Sequence, residues 1–424
     1  MGRPIQWMEK LKSFGFKLGI ALLGLLVGFG LLEGLVRWLS PLPRYPYTNV
    51  PDEKVGWVAQ RGFRGRATNM FGEFDTELRI NRDGFRGYDY PLTKPSNTLR
   101  IAFLGDSFTF AEQVEEPQTF VRRTETLLNG KLRSKGILNL HIECMNFGIG
   151  GYDLQQYVLC YEDYVRKYHP DVVVVAIYVD NDLLGNAFYL LEGGFGRPYF
   201  RLVNGALEKV PANMPLMEQT YRFLQQRLRV RWYHHLHLYN KHKFIFWTIR
   251  QQLRLREAEK QNRSLPLDQL WKEGGYRNYR YYAVGLNDPV VTEADTLTRL
   301  LLERLEKMVQ KDGSRWYGMF LPAPENLWPE RWPERLKWLP GLEKVTMDFE
   351  RPFKQVRFFI PTEAARGNLF DTRPALRRAA LDEPIFFPRD SHYNWRGQEA
   401  VAQALSQWLE PKLFPGIPPK SLKN

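Results

Sequence analysis

The chain has 424 residues, 44% hydrophobic and 25% charged, and its 60 Lys and Arg against 47 Asp and Glu give a net charge of +13. This composition excludes a disordered chain, and two cysteines, Cys144 and Cys160, exclude a disulfide-stapled scaffold. No Gly-rich phosphate loop and no Cys/His cluster at zinc spacing occurs, so no cofactor or metal is expected.

Residues 18–32, LGIALLGLLVGFGLL, are uncharged, and apolar character resumes after Glu33 through Leu35, Val36, Trp38 and Leu39. Counted over 18–39, this is long enough to span a bilayer as one helix, with Trp38 as an interfacial anchor. Arg3, Lys10, Lys12 and Lys17 precede it, which favours residues 1–17 in the cytoplasm and everything after the helix outside. The expected location is therefore the inner (cytoplasmic) membrane, single-pass, with a periplasmic or extracytoplasmic body. A cleavable signal peptide is the rival, but no small-x-small site follows before Pro41. Gly24 and Gly28, and again Gly30 and Gly34, lie four apart, a spacing that lets membrane helices approach a membrane-protein partner.

Residues 40–98 read as a linker and a small β-containing entry segment. Its proline-rich start, 41–51, is expected to be extended, with a reach of at most about 30 Å. The alternating stretch 76–81 and the Asn81-Arg82-Asp83-Gly84 sequence predict a strand and a turn. From residue 99 strands and helices alternate. Strands are expected at 101–104, 141–147, 172–178, 316–321 and 356–360, and helices at 154–167, 293–310 and 395–409. VVVVAIY at 172–178 has no polar interruption, as a central parallel strand covered on both faces requires. The expected architecture is an α/β fold, a three-layer α/β/α sandwich around a parallel five-stranded sheet, split into 99–186 and 288–424.

The interruption, 187–287, is expected to be a helical insertion. Its 222–263 segment holds eleven Lys and Arg, from Arg222 to Arg263, against Glu257 and Glu259, a local charge of +9, with eight or more aromatics at or beside it. Anionic lipid or a membrane partner suits such a segment in an extracytoplasmic chain, and a solvated basic face over an aromatic core face is the alternative; nucleic acid is not expected.

Four short pieces fall after strands or before the last helix. Gly105-Asp106-Ser107-Phe108 follows the first strand, Asn146-Phe147-Gly148-Ile149-Gly150-Gly151 the second, and Asp180-Asn181-Asp182 the third. Asp390-Ser391-His392-Tyr393-Asn394 precedes the closing helix. A serine becomes a nucleophile at neutral pH when a base takes its proton, a carboxylate orients the base, and donors receive the oxyanion. Ser107, His392, Asp390, the Ser107 and Gly151 amides and the Asn181 side chain supply that inventory. His392 is the one histidine after His242.

This set resembles the SGNH, or GDSL, hydrolase superfamily, over about 99–186 and the last forty residues. The resemblance implies a flavodoxin-like sheet, Ser107 as nucleophile, Asp390 and His392 as acid and base, and an oxyanion hole of Ser107, Gly151 and Asn181. Gly148 is the alternative to Gly151. Two departures stand out: Val179 occupies a position where glycine is usual, and acid and base are two residues apart. The closer spacing resembles a membrane-anchored branch of bacterial envelope proteins that includes those O-acetylating alginate-type exopolysaccharides.

The implied function is that of a serine esterase or O-acyltransferase, working through an acyl-serine on acylated envelope glycans or lipids. Trp328, Trp332 and Trp338 either stack on pyranose rings or pack their helix on the sheet. A non-catalytic subunit of a membrane complex, docking through the insertion and the glycine-lined helix, is the alternative from another class.

Overall fold

A computed structural model describes residues 4–39, 49–69, 71–192, 196–212, 265–272, 276–360 and 363–415. The spacer at 40–48 and the basic, aromatic segment 222–263 lie outside the described residues. The N-terminal helix, Pro4–Leu39, contains Lys12–Val36, which meets the length and composition of a membrane span or of a signal sequence. Its Leu25, Leu26 and Leu31 are largely exposed.

Two antiparallel hairpins make the entry segment: β1 (Asn49–Asp52) with β2 (Gly56–Ala59), and β3 (Arg64–Thr68) with β4 (Asp75–Arg79). Thus Asn49 to Pro51, expected to be spacer, pair instead with Ala59 to Trp57. The predicted turn closes on Gly84 at φ +94°, with the Asn81 side chain accepting from Asp83 N and Phe85 N.

The central sheet contains β5 (Thr98–Gly105), β6 (His141–Gly148), β7 (Val172–Tyr178), β10 (Arg315–Leu321) and β11 (Leu369–Asp371), all parallel, in the order β6-β5-β7-β10-β11. This is the flavodoxin-like order, with the topological switch at β5 between β6 and β7. Between β7 and β10 an outlying hairpin, β8 (Tyr199–Val203) with β9 (Ala206–Val210), belongs to the insertion, whose described part is therefore not purely helical.

Side chains two apart on the central strands face one layer. Ile101, Phe103, Val172, Val174 and Ala176 pack with helices Phe120–Ser134, Arg373–Ala379 and Trp395–Leu413. Ala102, Leu104, Val173, Val175 and Ile177 face helices Leu154–Cys160, Pro289–Lys311 and Arg351–Phe359. The entry segment belongs to this second layer, because Val55, Val58, Leu78 and Phe85 are buried in the same core. Removing each such side chain from water contributes about 1.5–3 kcal/mol, which fixes the segment to the sheet.

One strand is reassigned. Residues 356–360 end a helix, Arg351–Phe359, and the fifth strand is β11. Pro352 in the first turn favours the helix, which buries Phe353 and Val356 and leaves Phe358 exposed, as a period near 3.6 requires.

Candidate active site

All four pieces gather at the carboxyl end of the sheet, where open α/β folds bind ligands. β5 ends at Gly105, and a one-turn helix, Ser107–Phe110, begins with Ser107 while the Asp106 side chain accepts from Phe108 N at 2.9 Å. The turn closes tightly: Ala111 adopts a left-handed φ of +52°, and the buried Arg86 guanidinium donates to the carbonyls of Phe110, Ala111 and Val114. A cation held by three carbonyls fixes the backbone behind the serine.

Across from it runs the loop after β6. A Cβ on Gly148 would lie 2.6 Å from Phe110 N, so only glycine permits this approach of backbone to backbone. The Gly148 amide donates to Asn146 Oδ1 at 2.8 Å, which removes Gly148 as an oxyanion donor. Gly151, at φ +80°, follows Gly150, whose Cβ position lies 3.8 Å from Ser107 Cβ. Gly151 is thus carried on a turn that passes beside the serine.

Asn181 sits just past β7. Val179 causes no distortion there: its φ is not positive, and its amide donates to Leu321 O at 3.1 Å, continuing the strand pairing. The turn is held instead by buried Asp182, whose Oδ2 accepts from Tyr178 N at 2.9 Å and Tyr157 OH at 2.7 Å. The Asn181 side chain hydrogen-bonds Asp106, and its Oδ1 is buried without a partner. Asn181 therefore lies next to the nucleophile turn.

The fourth piece is a loop closed by its own backbone. Phe387 N donates to His392 O at 2.8 Å, Asn394 N to Ile385 O at 3.0 Å, and Asn394 then caps the helix Trp395–Leu413 through Arg396 N and Gly397 N. Ser391 bridges acid and base in a left-handed conformation, φ +68°. His392 Nε2 lies 2.7 Å from Ser107 Oγ, and His392 Nδ1 lies 2.6 Å from Asp390 Oδ1, across 285 residues of sequence for the first contact. Phe108 flanks the imidazole, ring centroids 4.6 Å apart, and stacks on Tyr178 at 4.0 Å.

The charges are mutually adjusted. Burial alone lowers the His392 pKa, but the hydrogen bond and charge of Asp390 outweigh it and leave the imidazole above its ordinary value. Burial likewise raises Asp390, yet the His392 partner and Asn69 hold it below the usual carboxylate range. Asp106 is pushed up to about 6 by burial, against opposing help from Phe108 N, His392 and Asn181. A hydroxyl, an imidazole and a carboxylate in this chain are the arrangement that acyl transfer through serine requires.

Sequence reasoning missed the entry segment's part in this site. The Trp57 indole donates to Gly150 O at 3.1 Å, and Tyr152 OH donates to Trp57 O at 2.5 Å. Glu73 accepts from the backbone of Arg389 and Asp390. No motif flags these residues, because each acts through a backbone group far away in sequence.

Beside Ser391 opens a cleft of about 990 Å³, lined among others by Tyr178, Asp180, Tyr279, Glu325, Trp328 and Trp338. The three tryptophans divide: Trp328 and Trp338 line the cleft, whereas Trp332 packs on Tyr279 and Phe349. Asp180, in the cleft lining, is pushed up to about 6 by burial and by Glu325 nearby. Among the described residues no group of His, Cys, Asp and Glu could hold a metal ion.

No family model and no curated protein matches this sequence. Solved structures of similar chain course include an acetyl xylan esterase, AlAXEase, at 15% identity, covering 73% of this chain and 98% of that chain with a TM-score of 0.35. A second is the esterase EstA from Pseudoalteromonas sp., at 12% identity, covering 75% and 99% with a TM-score of 0.33. A third is Axe2, an acetylxylan esterase from Geobacillus stearothermophilus, at 12% identity, covering 75% and 96% with a TM-score of 0.34. In sheet order and in the sequence of four blocks at its carboxyl edge, this chain is built like the SGNH hydrolase superfamily that its motifs resemble.

Proposed function

We propose that this chain is a membrane-anchored serine esterase or O-acyltransferase of the SGNH type, acting on acyl esters of envelope glycans or lipids. The observation that carries the reading is the continuous hydrogen-bonded chain from Ser107 Oγ to His392 Nε2, at 2.7 Å, and from His392 Nδ1 to Asp390 Oδ1, at 2.6 Å.

In this reading Ser107 Oγ attacks the ester carbonyl carbon while its proton passes to His392 Nε2. Asp390 holds the imidazole in the tautomer that leaves Nε2 free to accept, and stabilises the imidazolium. The Ser107 and Gly151 amides and the Asn181 side chain face the developing oxyanion. The carbon–oxygen bond to the leaving alcohol then breaks, His392 returns the proton to that oxygen, and an acyl-serine remains. Attack by water, with His392 again the base, makes an esterase; attack by a sugar hydroxyl makes an acyltransferase.

The cleft favours the glycan over the lipid. Its exposed Trp338 and half-buried Trp328 suit a hydroxylated ring, with faces to stack on in a polar-lined cleft, better than an acyl chain. The basic residues that precede the apolar helix support a site outside the cytoplasm.

The test is fluorophosphonate labelling of the full chain in detergent, with hydrolysis of p-nitrophenyl acetate measured alongside. Wild type should be labelled and active, and Ser107→Ala should lose both. Labelling or turnover that survives Ser107→Ala defeats the proposal. Acetyl transfer to an added oligosaccharide, measured by mass spectrometry, decides between the two acceptors.

A further inference from the structure

The acid and base sit on a loop that its own backbone closes but whose central linker is in an unfavourable conformation. Asp390 is separated from His392 by Ser391 at φ +68°, a conformation unfavourable for a residue with a Cβ, and Ser391 itself is exposed. Something outside the loop must keep this geometry.

That something is the stretch following β3. Glu73 Oε1 accepts from Arg389 N at 2.8 Å and Glu73 Oε2 from Asp390 N at 3.0 Å, so one carboxylate takes two successive amides. Asn69 Nδ2 donates to Glu73 Oε2 at 3.0 Å, and the Asn69 side chain also hydrogen-bonds the Asp390 carboxylate. Asn69 is fixed in turn, since its Oδ1 accepts from Phe71 N and Glu73 N. Apolar contacts flank these bonds: Phe74 meets Phe387 with centroids 5.7 Å apart, and the Arg389 guanidinium lies 5.6 Å from the Phe71 centroid.

We infer that Glu73, seated by Asn69, is a positioning residue that clamps the Asp390–His392 loop from the entry segment and holds Asp390 against the imidazole. The inference rests on the serine-hydrolase reading of Ser107 and His392. Glu73 touches neither the imidazole nor the serine, and acts through the backbone of the acid. Charge-assisted bonds from two amides to one carboxylate are about twice as strong as neutral ones. They set the direction of the loop as well as its distance. Without them the Ser391 linker is free to leave its left-handed conformation, and Asp390 swings away from His392 Nδ1.

Two signatures separate this role from simple stability. A displaced acid lowers kcat while leaving ester binding unchanged, because misplacement of about 1 Å in a reacting group costs on the order of 100-fold. It also lowers the pKa of His392, which the Asp390 partner holds up, so the acid limb of the pH–rate profile moves to lower pH.

The experiment compares full-length wild type, Glu73→Ala, Glu73→Gln and Ser107→Ala in detergent, following p-nitrophenyl acetate hydrolysis across pH with the thermal midpoint recorded. Glu73→Ala should lose on the order of 10- to 100-fold in kcat, with KM within about twofold and the acid limb displaced downward. Glu73→Gln keeps the size of the side chain but sets an NH2 against one of the two amides, so it should fall between wild type and Ala. Should Ala fail to fold, Gln carries the test alone. Unchanged kcat and an unmoved acid limb in the folded variants overturn the clamp while Ser107 labelling leaves the underlying reading intact. Turnover surviving Ser107→Ala overturns that reading instead.

Discussion

The two halves of the site are built in opposite ways. The nucleophile turn, Gly105 to Phe110, is the direct continuation of a central strand, and its shape comes from close backbone packing against Gly148 and from Arg86 beneath it. The acid–base loop, 385–394, belongs to no sheet strand; it is closed by a few backbone bonds and held from outside by a segment that lies 316 residues earlier in the chain. A rigid half presents the hydroxyl, and an adjustable half brings the base to it.

The largest effect expected from perturbing the adjustable half comes from Asp390→Asn. It keeps the shape of the loop but offers His392 the wrong partner, and kcat should fall on the order of 1,000- to 10,000-fold. In wild type the rate should rise with pH through a value above the ordinary 6.5 of histidine, because the base works neutral and Asp390 keeps it protonated longer. In Asp390→Asn that limb should move down, below its wild-type position; a limb that stays in place would mean that another group titrates there.

On the rigid half, Asn181→Ala should lower kcat on the order of 100-fold, as loss of one oxyanion donor does. Full activity in that variant would remove Asn181 from the hole. Trp57→Phe keeps the ring but removes the indole bond to Gly150 O, so the Gly151 amide loses its outer support; a loss of roughly 5-fold in kcat is expected, corresponding to a neutral hydrogen bond of about 1 kcal/mol. An unchanged rate would show that the loop keeps its shape unaided.

The smallest effect belongs to Ser391→Gly. Glycine relieves the left-handed strain, worth about 1 kcal/mol, yet adds freedom to the unfolded chain, so the thermal midpoint should move by only a degree or two. The rate should stay within about twofold where Glu73 holds the loop and fall further when Ser391→Gly is combined with Glu73→Gln. Independent effects in the double variant would separate the clamp from the linker.

What the sequence made legible follows the same division. Strands buried on both faces, such as Val172–Tyr178, leave continuous apolar runs, so four of the five strands can be read directly, while their order came with the resemblance. Ser107, Asp390 and His392 are legible because turn chemistry and catalytic residue types coincide in short stretches. Residues 356–360 misled, since so short a stretch, apolar but for Arg357, has no period of its own and Pro352 was the better signal. Glu73, Asn69 and Trp57 left no trace. Each bonds a backbone group or a residue of a distant loop, and neither periodicity nor spacing encodes which distant amide a carboxylate will meet. The assignment of 222–263 to lipid or a partner, and of the glycine-lined helix to a contact, remains with the composition that suggested it.

The β1–β2 hairpin has a mechanical consequence. A pull on the chain preceding Asn49 acts first on the Asn49–Ala59 pair at the hairpin's open end, so it opens the ladder one pair at a time and never loads all four at once. Such peeling stops at Asp52, which accepts from Tyr164 OH at 2.5 Å and Arg61 at 2.6 Å and whose Oδ1 also receives Lys54 N and Val55 N. Tyr164 belongs to the segment after the helix Leu154–Cys160, and its neighbour Tyr168 bonds Asp83 in the same way, so the load passes into the body of the fold. Peeling strips β1 from the strand that carries Trp57 pair by pair, and the bonds at Asp52 then tie the chain to the body of the fold.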